Sequence, residues 1–236
     1  MMRAIVTTLF VVLLGQFVAT VPATSSVAAG NTWTTSSGWS AAGVTASGVN
    51  CSALPCAAIT IPSTVSGDLL YIQMFAGGRA IQAGSTSVGT IVAPANCTSS
   101  PLSCGYILSE TGGQTSIQIN LDNVISSAEF VIRSYHPSAT TAVAETVPAA
   151  NSTTCSTCSA PTATLTGTSD IVISAFDGGW YVCSVGSPFG NLFTDAGFGL
   201  SDNFNTSSGT GGVFVQGSSC PTPNSDVGTS TTVAFK

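Results

Sequence analysis

The residues best suited to chemistry lie between Trp180 and Cys220. Trp180 and Tyr181 are followed by Asn191, Asp195, Asp202 and Asn203, with Phe189, Phe193, Phe198, Phe204 and Phe214 interleaved among glycines. Aromatic faces stack on the apolar faces of sugar rings while amides and carboxylates take the hydroxyls. The segment therefore predicts a lectin-like ligand site of Trp180, Tyr181, Asn191, Asp195, Asp202 and Asn203. The competing expectation is that most of these phenylalanines fill a β core. Asp195 and Asp202 would also be the acid pair of a glycoside hydrolase, which needs two carboxyls a few ångströms apart in unlike environments. Asp170 and Asp177 fail that test, because seven residues of strand separate them by more than about 20 Å.

Other constellations are poorer. His136 is the single histidine, in Tyr135-His136-Pro137, and no Gly-x-Ser-x-Gly elbow partners it, so no Ser-His-Asp triad is expected. Cys155-Ser-Thr-Cys158 has redox or half-zinc spacing but lacks a βα setting, a second Cys-x-x-Cys or paired histidines. No Asp-x-Asp-x-Asp-Gly calcium loop is present. The sequence thus assigns no catalytic residue, no metal and no cofactor.

The chain around these residues has an unusual solvation strategy. It holds 4 Lys+Arg and 10 Asp+Glu in 236 residues, 6% charged with net charge −6, against roughly 25% charged in an ordinary domain. Nucleic-acid binding, which needs a basic surface, is excluded as an expectation. Hydroxyls of Ser and Thr must do much of the solvating. Met1–Arg3, the apolar run Ala4–Leu14 and the small residues up to Ala28 read as a secretory signal peptide, with cleavage after Ala23 or Ala28 and no membrane association afterwards. Cys51, Cys56, Cys97, Cys104, Cys155, Cys158, Cys183 and Cys220 are an even set in an exported chain. Their spacing suggests sequential disulfide pairing, one neighbour to the next. Asn50, Asn96, Asn151 and Asn205 each open an Asn-x-Ser/Thr sequon.

The elements that must position all this are strands. Ser116–Leu121 alternates polar and aliphatic residues. Similar stretches are Ala57–Ile61, Asp68–Phe75, Val88–Ala93, Tyr106–Ser109, Glu129–Tyr135, Ala163–Thr166, Ile171–Phe176, Trp180–Cys183, Val213–Gln216 and Thr231–Phe235. Leu121–Ser127 reads as a short helical connector capped by Asp122. The Ser/Thr/Ala-rich stretch 138–161 reads as a crossover between two halves of one domain, 29–236, whose last strand pairs near its start. The expected fold is all-β: an antiparallel, disulfide-stapled sandwich.

In order along the chain come Ser66-Gly67-Asp68-Leu69-Leu70-Tyr71-Ile72, Ile132-Arg133-Ser134-Tyr135-His136-Pro137, Ser169-Asp170-Ile171-Val172-Ile173-Ser174-Ala175-Phe176, Ala196-Gly197-Phe198-Gly199-Leu200 and Val233-Ala234-Phe235-Lys236. This series resembles an uncharacterised β-sandwich domain common in exported bacterial and environmental proteins. The eight cysteines depart from its pattern. The resemblance implies a jelly-roll-like fold and extracellular placement, and it carries over no catalytic residue. Together these readings lead us to expect a secreted, non-catalytic structural or surface-interaction protein. Its expected partner is itself or a cell-envelope or glycan component; a carbohydrate-binding module and a secreted hydrolase are the alternatives.

Overall fold

Short β-branched and aromatic runs broken by Gly, Ser and Asn can satisfy their backbone amides laterally far more readily than in helices. The computed structural model is accordingly all-β with antiparallel sheets, and one three-residue 3-10 turn, Ala95–Cys97, interrupts it among the described residues. Described are residues 31–75, 78–97, 102–138, 141–145, 151–154, 157–178, 184–195, 198–215 and 227–236. The signal-peptide reading of 1–28 lies outside them.

The first stretch supplies β1 (Trp33–Thr35), β2 (Val44–Cys51), β3 (Ile59–Thr60), β4 (Leu69–Phe75), β5 (Gly84–Ser85), β6 (Thr90–Ile91), β7 (Ser103–Ile107), β8 (Ser116–Ile117) and β9 (Ile125–Pro137). β4 lies between β7 and β9, while β1 and β2 pair with different parts of β9, giving a five-stranded sheet. The second stretch supplies β10 (Asn151–Thr154), β11 (Thr157–Ser159), β12 (Asp170–Asp177), β13 (Ser184–Val185), β14 (Gly190–Asp195), β15 (Phe198–Thr206), β16 (Val213–Val215) and β17 (Val227–Phe235). Its five-stranded sheet runs β10-β17-β12-β15-β14, and β11-β16-β13 form a smaller one.

The two large sheets share a plan. The order β1-β9-β4-β7 recurs as β10-β17-β12-β15. Leu69 opposes Tyr135 at one sheet's end, as Ile171 opposes Phe235 in the other. An aspartate stands at each central strand's start, Asp68 before β4 and Asp170 opening β12.

Both faces of each central strand are covered. β4 and β12 are buried at every position, although antiparallel strands commonly leave one face wet. Leu69, Tyr71 and Phe75 join Ile171, Ile173, Val233 and Phe235 in one core between the large sheets. Leu70, Ile72 and Met74 turn the other way, to Ile59, Ile91, Ile117 and Ile119 of the segments that roof the first sheet. Phe176 meets Phe214 and Cys158 of the small sheet, while Val172 and Ala234 pack with Phe189. The buried apolar residues thus fall into four clusters, with β4 and β12 contributing to clusters on both of their faces, which is why the sequence reads as continuous hydrophobic runs there.

The structure corrects several expectations. Leu121–Ser127 forms no helical turn: Leu121 bridges Ile81, Asp122 Oδ1 accepts from Ala80 N at 3.1 Å, and β9 begins at Ile125. Ala163–Thr166 joins no ladder, because Ala163 N instead donates to Gly209 O. The final strand pairs with β10 and β12 rather than near the chain's start. The crossover is partly structured, with β10 and β11 inside it and Ala144 bridged to Phe235. Each large sheet is drawn from one continuous stretch of the described residues. Two expected disulfides are present, Cys51–Cys56 and Cys97–Cys104, with Cα atoms 4.2 and 5.4 Å apart. Cys158 is also disulfide-bonded, while Cys155, Cys183 and Cys220 lie outside the described residues. These bridges fit an oxidising, non-cytoplasmic compartment. Among the described residues no helix is long and apolar enough to cross a membrane.

Candidate functional site

The segment singled out for ligand binding folds as a hairpin. β14 and β15 pair antiparallel, and their phenylalanines turn largely inward: Phe198 stacks on Phe75 at 4.9 Å between ring centroids, and Phe204 meets Tyr135 edge-on at 5.7 Å. Phe214 is fully buried against Phe176. Those aromatic groups serve packing. Trp180 and Tyr181 lie outside the described residues.

Asp202 sits in the interior. Its side chain and that of Arg133 are each 1% exposed, with Arg133 Nη1 2.7 Å from Asp202 Oδ2. Tyr135 donates its hydroxyl to the same oxygen at 3.0 Å, and Asn191 Nδ2 donates to Oδ1 at 2.7 Å. Arg133 also donates to Ala42 O, Asn191 O and Leu200 O. Burial pushes the Asp202 carboxyl above its ordinary range, while Arg133 and the neutral donors pull it down. Each donor satisfies a lone pair, so this network ties β9 of the first sheet to β15 of the second, with the Asp202 carboxylate and the Arg133 guanidinium held away from solvent.

The remaining candidates do not converge. Asn203 is buried at the register position opposite Val172. Asp195 opposes Phe198 while Asp202 opposes Gly190, four residues along β15, or roughly 13 Å. Asn191 is in the left-handed region at φ 49°, a conformation asparagine tolerates, and its amide belongs to the Asp202 network.

A second polar cluster escaped the sequence reading. Asp68, 1% exposed, accepts from Ser36 Oγ on one oxygen, and its other oxygen lies 2.7 Å from His136 Nδ1. Register explains the meeting: Leu69 opposes Tyr135, so the flanking residues come together at the sheet end. Beside them Glu110, 2% exposed, accepts from Ser134 Oγ at 2.6 Å and from Val65 N at 3.2 Å. Burial first, and the neighbouring Asp68 charge further, push the Glu110 carboxyl up to about 7 despite those two hydrogen bonds. The His136 ring is 53% exposed and borders an open cavity of about 310 Å³ with Ser66, Pro137, Ser138 and Thr141. Glu110 does not line that cavity, so the raised carboxyl is withheld from any bound molecule. The arrangement orients an imidazole, and among the described residues no hydroxyl nucleophile is hydrogen-bonded to it. Among the described residues no group of three His, Cys, Asp or Glu is placed to hold a metal ion.

No family model, curated protein or solved structure matches the chain.

Proposed function

We propose that this is an exported, non-catalytic β-sandwich protein that acts through surface contact, with itself or with a cell-envelope or glycan partner. The observation that carries the reading is the interior position of Asp202 and Arg133, each 1% exposed. In a chain with so few charges, the carboxylate the sequence offered for chemistry is spent on joining two sheets. What remains outside is mainly hydroxyl and amide, suited to hydrogen-bonded contact and poor in acid–base groups. The disulfides support placement outside the cytoplasm.

Sedimentation velocity of the oxidised protein over a wide concentration range, with a parallel polysaccharide panel, tests this. Concentration-dependent assembly or saturable binding is the expected result. A strictly monomeric protein that binds nothing on the panel would overturn the proposal.

A further inference from the structure

On the outer side of the first half, two cavities of about 340 and 200 Å³ adjoin through Pro55 and Gln118. Hydroxyl and amide groups, among them Asn50, Ser52, Ser87, Gln118 and Asn120, share the walls with small apolar residues such as Pro55 and Ala58, and among the described residues no charged side chain lines either one. The alternation along residues 116–121, which begins with β8, creates this. Ile117, Ile119 and Leu121 turn into the core, so Ser116, Gln118 and Asn120 stand outward at intervals of roughly 6.7 Å. Both flanks of that segment are fixed, with Cys56 N donating to Ile119 O and Gln82 N to Asn120 O, each at 2.9 Å. The Cys51–Cys56 disulfide closes the adjacent wall. Gln118 Nε2 donates to Cys56 O at 3.3 Å, which orients the amide and leaves its Oε1 and second N–H for a ligand.

We propose that this groove binds a neutral, hydroxyl-rich chain, a polysaccharide, gripped by the amides of Gln118 and Asn120. The inference rests on the surface-contact reading and names its ligand class. A side-chain amide presents a donor and an acceptor side by side, the complement of neighbouring sugar hydroxyls. A wall without charge gives no ionic partner to an acidic glycan, which would have to shed its hydration uncompensated. The preformed walls limit the ordering cost of binding.

The test is binding of the intact, oxidised protein to dextran, xylan and galactomannan, with polygalacturonate as the acidic comparison. The proposal expects saturable binding to at least one neutral polymer and none to polygalacturonate, with affinity lower by about tenfold or more in Gln118→Ala/Asn120→Ala. Both side chains are exposed and only the 3.3 Å Gln118 hydrogen bond is lost, so the protein should stay folded with a small shift of the thermal midpoint, and Ser87→Ala supplies a milder second variant lining the larger cavity. Neutral-glycan binding that survives the double substitution would sink the groove while leaving the surface-contact reading intact. Preference for the acidic polymer, or no binding to any neutral one, would sink the ligand class.

Discussion

Glu110 is the most informative single side chain. Its carboxyl is held near 7 in the fold and titrates near 4.5 in an open chain, so the folded protein binds that proton more tightly. The resulting stabilisation is fully present below about pH 4.5 and is lost as the pH rises through about 7. Glu110→Gln, whose amide can serve both Ser134 and Val65, should therefore raise stability above pH 7 by on the order of 2 kcal/mol and flatten this part of the pH profile in urea titrations. Asp170 and Asp202 are also shifted upward by burial, so a residual slope of the same sign should remain. Asp202→Ala leaves the Arg133 guanidinium buried without its counter-charge and should cost about 3–5 kcal/mol, read as a lower urea midpoint. None of this was legible in the sequence. Asp68 and His136 are 68 positions apart and Arg133 and Asp202 are 69, so only strand register brings each pair together.

At the level of elements, legibility followed apolar content. β4, β9, β12 and β17 were visible as Val, Ile and Leu runs, and the two near-neighbour cysteine pairs were visible from spacing. β2 was missed because Val-Thr-Ala-Ser-Gly-Val-Asn-Cys has little apolar signal; it pairs through its backbone along β9 with two register shifts. β14 and β15 read as a loop in the sequence because Gly, Asn and Asp punctuate them, and the phenylalanines that suggest a site there are what attach the hairpin to the core. The entry to β2 supplies a paired test. Gly43 has φ +79°, and a Cβ there would lie 2.4 Å from Ile132 O and 2.7 Å from Arg133 Cγ. Gly48, inside β2, has φ +68° with open space around it. Gly43→Ala should cost at least about 2 kcal/mol and Gly48→Ala only about 1, the backbone penalty alone, as measured by denaturant unfolding.

For the whole molecule, the contact between the large sheets is where the two halves depend on each other. Phe235 of β17 meets Tyr106 of β7 edge-on at 5.0 Å, and Asn205 of β15 brackets the Trp33 backbone by accepting from its N–H at 2.6 Å and donating to its carbonyl at 3.3 Å. Phe235→Ala should cost about 3–5 kcal/mol and lower hydrogen-exchange protection in β7 as well as in β12. Loss confined to the second half would show that the seam contributes little. The repeated strand plan bears also on the order of assembly. Every ladder of the first sheet closes within Trp33–Pro137 and every ladder of the second within Asn151–Phe235, so neither sheet waits for the other end of the chain. Loop-closure cost is then confined to each half, and the nascent chain can complete its first sheet before the second has been synthesised. Until then the face bearing Leu69, Tyr71 and Phe75 stands uncovered, which makes the half-made protein, rather than the finished one, the species most exposed to aggregation.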